Sequence, residues 1–183
     1  MPFVYRRVIR FHETDAAGVV YFASLLSLCH EAYEAAIAAK SSLNPKQFFS
    51  GAATTAVPIV HTAADFYQPL FCGDAIAIAL TPKQRSPHSF EITYSITASI
   101  EPQTHIRSNR PESNRPESNK SESNKPTKNA QPNAPKPSIL VSALTRHVCI
   151  NTKTRRRVEL PTELISWIAN LAEPESARSA PGG

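Results

Sequence analysis

From Glu101 to Ser138 the chain carries a stretch that cannot form a core, and this stretch sets what the remainder can fold into. SNRPE at 108–112 recurs at 113–117 and is followed by SNKSE at 118–122 and SNKPT at 123–127. The stretch holds 7 of the 16 prolines, no aromatic residue, and Ile106 as its one large aliphatic. It buries too little apolar surface to offset the entropy of ordering, and a period of five matches no solenoid. It reads as a disordered insertion at a hairpin tip, where each doubling of loop length costs only ~0.6 kcal/mol. A tether to an acidic partner or a membrane surface is the alternative reading.

Setting those 38 residues aside leaves 145 of 183, enough for one domain that folds without staples. The reading is one domain over 1–175, with the insertion at 101–138 inside it and a frayed tail at 176–183. Charge divides the same way. The insertion carries seven Lys/Arg against four Glu, whereas the rest carries 13 basic and 11 acidic residues. The basic character therefore belongs largely to the insertion, and no nucleic-acid-binding face is implied.

Glycine excludes several function classes. Of five glycines two are the terminal Gly182 and Gly183, leaving Gly18, Gly51 and Gly73. Dinucleotide-binding and P-loop motifs need several glycines within a few residues so that backbone amides can approach phosphate, and a nucleophile elbow needs a flanking pair. None can be built. Cys29, Cys72 and Cys149 are widely spaced, form no C-x-x-C pair and sit among apolar neighbours. All three read as buried, inert thiols in a reducing compartment. The opening MPFVYRRVIRF is too short in apolar run for a signal peptide, and no stretch reaches about 18 consecutive apolar residues. A cytoplasmic protein with no membrane partner is expected.

Residues 3–11 read as a strand. Apolar residues at 22, 25, 26, 29, 33, 36 and 37 have helical spacing, and the intervening Ala and Ser predict a helix over 22–40 buried on more than one face. Residues 41–56 read as a connection. Strands follow at 57–67, 75–82, 89–100 and 139–150, with 157–160 extending an edge and a short helix over 162–171. A strand, a long buried helix and then antiparallel strands make an α+β chain. A sheet wrapped around one central helix is the hotdog fold.

The run HETDAAGVVYF at 12–22 concentrates the chemistry. It places a carboxylate, Asp15, before the glycine turn at Gly18 and the helix start at Phe22. Free N–H groups at a helix start favour negative charge and would polarise a carbonyl oxygen placed against them. Asp15 would attack or activate water; alternatively it only caps the helix. HEAYE at 30–34 lacks the second histidine of a zincin, so no metal is expected and His30 reads as an interfacial or hydrogen-bonded helix residue. His61 and His147, on strands, read as core or interface histidines. Arg155, within Arg155-Arg156-Arg157, and Arg85, with Lys83 just past the strand at 75–82, could meet phosphates or be solvated turns.

The stretch FHETDAAGVVYFASLLSLCHEAY at 11–33 resembles the active-site segment of the 4-hydroxybenzoyl-CoA thioesterase branch of hotdog enzymes. PIVH at 58–61, FCGD at 71–74 and HVCI at 147–150 resemble the subgroup that hydrolyses 1,4-dihydroxy-2-naphthoyl-CoA. The resemblance implies a thioesterase that needs no cofactor. It implies Asp15 as the catalytic carboxylate, the Phe22 backbone N–H as the carbonyl-polarising donor, and a site at a subunit interface of a homodimer or homotetramer. Gly18, Val19 and Tyr21 are expected beside the substrate, with Arg85 and Arg155 toward the CoA phosphates. Phe22 stands where cell-envelope acyl-CoA thioesterases commonly have His, and with Phe11, Tyr21 and Tyr33 it predicts an acyl pocket lined by aromatics. The rivals are a thioesterase for another aroyl- or acyl-CoA, a non-catalytic acyl-CoA or acyl-carrier binder, and a dehydratase, whose α-proton abstraction would want His where Asp15 stands.

Overall fold

The computed structural model describes residues 2–40, 43–50, 53–99 and 138–172. The repeat insertion, expected as a disordered hairpin tip, and the tail expected to fray lie outside the described residues, apart from Ser138. Five strands form one antiparallel sheet: β1 (Phe3–Val8), β3 (Ile59–Phe66), β4 (Ala75–Ser86), β5 (Ser89–Ala98) and β6 (Ile139–Val148), in the order β1-β4-β5-β6-β3. A two-stranded ribbon pairs β2 (Thr55–Ala56) with β7 (Ile150–Asn151). The long helix α1 (Phe22–Lys40), the single turn α2 (Pro45–Phe48) and α3 (Thr162–Leu171) complete the set among the described residues.

Alternation decides which face is buried. Ile76, Ile78 and Leu80 of β4, Phe90, Ile92, Tyr94 and Ile96 of β5, and Val141 and Ala143 of β6 form one inward row and are almost fully buried. Side chains two apart share a sheet face, so period-two sequence becomes a single apolar surface. Against it lies α1, through Leu25, Leu28, Cys29, Ala32, Tyr33, Ala36 and Ile37. Trp167 of α3 completes the core, and its indole N–H donates to Ala36 O at 3.3 Å. This is the expected α+β hotdog arrangement, with α1 as the central helix.

Several boundaries and environments differ from the sequence reading. The first strand stops at Val8 and gives way to a 3-10 turn over Phe11–Glu13. The connection at 41–56 contains α2 and β2, and Asn44 caps α2 by accepting from the Lys46 N–H at 3.0 Å. Residues 157–160 add no strand, only an isolated bridge between Arg157 and Ile150. Lys83 and Arg85 lie inside β4, which runs four residues further than its apolar alternation. In this single chain α1 buries one broad stripe, leaving Ala23, Ser27, His30 and Glu34 exposed, because Ala and Ser are tolerated equally in and out of water. Cys72 is exposed on the turn before β4, while Cys29 and Cys149 are buried. Burial pushes the Cys29 thiol up to about 12, which makes it inert. His61 projects from the outward side of β3 and is exposed, whereas His147 is buried.

Candidate active site

The Asp15 turn is built almost entirely by main chain. Thr14 bridges Val20, the Asp15 N–H donates to Val19 O at 2.8 Å, and the Gly18 N–H donates to Asp15 O at 3.0 Å. Gly18 has φ +80, a left-handed conformation that side chains resist. A Cβ there would meet nothing within 4 Å, so glycine is required by the backbone and not by space. Asp15 Oδ1 accepts from the N–H of Ala17 at 2.8 Å and of Val19 at 3.3 Å. The carboxylate therefore caps its own turn, seven residues ahead of α1, and the helix-cap alternative does not hold.

A second glycine turn seats the first. The Val20 N–H donates to Leu70 O at 2.9 Å and Val19 bridges Phe71. Asp74 Oδ2 accepts from the Phe71 N–H at 2.8 Å, and the Gly73 N–H reaches Ile9 O at 3.0 Å. The chain end of β1, the start of β4 and the Asp15 turn thus form one assembly.

The start of α1 is fixed from the same side. The Tyr21 N–H donates to Glu13 O at 2.9 Å, and Tyr21 O accepts the first helical bond from the Leu25 N–H at 3.1 Å. The Phe22 N–H has no acceptor among the described residues, as the opening amides of a helix must when nothing caps them. Exposed aromatic residues belong to the same stretch of sequence. Phe11 is 82% exposed and Phe22 61%, and the Tyr21 and Phe22 rings lie 4.6 Å apart. A cavity of about 310 Å³ next to Val19 and Val20 is walled by Phe66, Tyr67 and Leu70.

The fourth predicted aromatic, Tyr33, belongs elsewhere. It is buried on α1 and lines a different cavity, of about 400 Å³, with His30, Phe48, Phe49, Pro58 and His147. Sequence reasoning passed over Phe48 and Phe49, although an aromatic pair closing a Pro-initiated turn is a usable signal. His147 is held by a buried chain of hydrogen bonds. Its Nδ1 lies 3.0 Å from Val57 O and its Nε2 3.0 Å from Thr145 Oγ1, which lies 3.3 Å from the Tyr94 hydroxyl. A carbonyl can only accept, so Nδ1 carries the proton and Nε2 accepts from Thr145. Burial pushes the imidazole below its usual value, only partly opposed by the Val57 carbonyl, and the ring stacks on Phe90 at 4.6 Å. His147 is a neutral, satisfied core histidine.

The two predicted phosphate contacts are not brought to Asp15 within one chain. Arg85 lies near the opposite end of β4 from the Gly73 turn and pairs with Glu91 at 3.2 Å. Arg155 occupies a tight turn after β7 at φ 59, its N–H donating to Asn151 O at 2.9 Å. Among the described residues no group of His, Cys, Asp and Glu could hold a metal.

A carboxylate thus stands on a glycine turn seven residues ahead of a helix whose first amide has no acceptor among the described residues. Comparison with known proteins gives the family. The sequence profile of the thioesterase-like superfamily matches residues 9–168. The chain belongs to that superfamily. It is 37% identical over 178 residues to a 1,4-dihydroxy-2-naphthoyl-CoA hydrolase of Nostoc punctiforme, covering 97% of this chain and 94% of the relative. To the hydrolase of the same name from Rippkaea orientalis it is 39% identical over 171 residues, covering 93% and 98%. The crystal structure of a 1,4-dihydroxy-2-naphthoyl-CoA thioesterase from Synechocystis superimposes with a TM-score of 0.68 at 30% identity, covering 95% of this chain and all of that one.

Proposed function

We propose that the chain hydrolyses 1,4-dihydroxy-2-naphthoyl-CoA to 1,4-dihydroxy-2-naphthoate and CoA, a step of phylloquinone or menaquinone biosynthesis, in the cytoplasm. The observation that carries this reading is the Asp15 turn beside the free Phe22 amide, in a chain 37–39% identical to the named hydrolases. The thioester carbonyl oxygen accepts from the Phe22 N–H, where the helix start stabilises the developing oxyanion. Asp15 either takes a proton from the attacking water or itself attacks to form an anhydride that water then opens. In both routes the C–S bond breaks and CoA leaves as thiolate. A thiol pKa of roughly 8.5 makes a general acid dispensable. Gly18, Val19 and Tyr21 line the approach, and the exposed rings of Phe11, Tyr21 and Phe22 offer the aromatic acyl group its contacts.

A homodimer, alone or paired into a tetramer, completes this site. All eight residues of β3 are exposed at an open sheet edge, with Ile59, Val60 and Phe66 among them. A long apolar edge is a template for pairing, and pairing of two β3 edges would cover the cavity beside Val19. Arg85 or Arg155 of the second subunit would then meet the CoA phosphates as charge-assisted donors.

The test is kcat/KM for three thioester classes with a thiol reagent. Ring stacking adds only ~0.5–1.5 kcal/mol, and the shape of a two-ring slot supplies the rest, so the naphthoyl thioester should exceed straight-chain acyl-CoAs by at least ~10²-fold with benzoyl-CoAs between. Parity with butyryl- or palmitoyl-CoA would replace this substrate by a general acyl-CoA, and no hydrolysis of any thioester would leave a binding protein.

A further inference from the structure

The inward row of β1 runs Phe3, Tyr5, Arg7, so a cation stands where the pattern calls for an apolar residue. The Arg7 side chain is 14% exposed, and its guanidinium holds two carboxylates from different elements. One terminal nitrogen lies 2.5 Å from Glu13 Oε1, and the other pairs with Glu31 Oε2 of α1. Glu31 also accepts from the Tyr5 hydroxyl at 2.6 Å. Glu13 is 7% exposed and fully engaged: its second oxygen accepts from the Arg10 N–H at 2.7 Å, and its main-chain carbonyl accepts from the Tyr21 N–H at 2.9 Å. The His12 ring, 80% exposed, lies 3.9 Å from it.

We infer that Arg7 is a positioning residue, whose guanidinium joins β1, the Glu13 turn and α1 and thereby fixes the Asp15 turn relative to the Phe22 amide. The inference rests on the Asp15 and Phe22 chemistry proposed above. Glu13 lies two residues before Asp15, and its carbonyl holds the residue immediately before Phe22, so a displacement of Glu13 moves both reacting groups at once. Stability does not account for the arrangement. Replacing a buried ion pair by apolar residues of similar volume is often neutral or stabilising, because desolvation consumes the Coulombic gain. What the guanidinium has that Met or Leu lacks is direction, donors fixed in one rigid plane that reach two carboxylates at once. Catalytic groups need placement within ~0.5 Å, and a ~1 Å error costs ~10²-fold in rate.

Three variants test this: Arg7→Lys, which keeps the charge and loses the fork; Arg7→Met, which leaves Glu13 buried and unpaired; and Arg7→Met/Glu13→Gln, which removes both charges. For each, kcat and KM with the naphthoyl thioester are read beside the melting temperature, with Asp15→Asn measured in parallel. The expected result is a kcat lower by ~10²-fold in all three at a KM within about threefold, since an orienting role acts on the transition state and not on uniform binding. The double variant should recover the melting temperature lost in Arg7→Met without recovering kcat. Recovery of both together would make the pair purely structural and overturn the inference. If the double variant stays unstable, Arg7→Lys decides: wild-type kcat there overturns the inference. Loss of activity in Asp15→Asn alongside a fully active Arg7→Lys would sink this inference alone, whereas an active Asp15→Asn would sink the chemistry beneath it.

Discussion

The two edges of the main sheet are treated in opposite ways. On β1, residues alternate between half-buried and exposed, and the inward row faces α1. On β3 all eight residues are exposed, and α1 packs chiefly on β1 and β4, leaving Thr62, Ala64 and Phe66 uncovered on the side that is core elsewhere. One edge strand has its inward face covered by the chain's own helix and leads into the Asp15 assembly. The other is open, and unpaired N–H and C=O groups along it invite a second strand. On the function proposed above, the difference teaches that the chain supplies the chemistry on the side it finishes and leaves the walls of the site to the side it does not.

The largest effect is expected on the closed side. Asp15→Asn should lower kcat by ~10²–10⁴-fold, the usual worth of general-base help, with circular dichroism and melting temperature close to wild type. Retention of more than about a tenth of kcat would remove Asp15 from the mechanism.

On the open side, Val60→Lys with Thr62→Lys should break the edge, since lysine on an edge strand opposes pairing and like charges facing across it repel. Sedimentation should show a monomer, and kcat/KM should fall by more than about tenfold because the site loses its second wall. A variant that remains both dimeric and active would show that the two edges are not divided as argued.

A smaller, pH-dependent effect belongs to β6, the strand next to β3. His147 is folded neutral, with its value lowered by burial below the unfolded value. The unfolded chain then binds the proton first, so stability is full above the unfolded value of about 6.5 and declines as pH falls below it, by at most about 1.4 kcal/mol per pH unit. Urea midpoints at pH 7 and 5.5 should diverge less in His147→Gln than in the wild type, and an equal divergence would show that His147 does not titrate on unfolding.

The smallest effect concerns the repeat. Replacing Gln103–Lys136 by a short Gly-containing turn should leave activity and oligomer unchanged and shift stability by under about 1 kcal/mol, as hairpin strands need only two to five connecting residues. A collapsed melting temperature would mean that the repeat packs against one of the edges.

Legibility tracked how local each determinant is. The strands and α1 were readable because period two and period 3.6 are written directly in Ile76-Ile78-Leu80 and in Leu25 through Ile37. Their ends were not, since Lys83, Gln84 and Ser86 extend β4 through pairing with β5, with Arg85 at the irregularity between them, and without any apolar pattern of their own. Cys72 misled because apolar sequence neighbours do not bury a residue at a turn tip. Within the candidate site, Asp15, Gly18 and Phe22 were legible as a contiguous motif, although the place of Tyr33 was not: it turns into the core beside Phe48 and Phe49.

What the sequence determined by itself was everything a local pattern can carry: the fold class, the glycine that lets the chain reverse at φ +80, and the carboxylate three residues before it. What the tertiary structure alone decided was convergence. Glu13 and Glu31 lie 18 residues apart and meet on one guanidinium from a third element, and Leu70 and Ile9 supply the carbonyls that seat the two glycine turns. Such contacts depend on how the helix lies across the sheet. That placement is fixed by the sum of many buried side chains, and no short stretch of sequence encodes it.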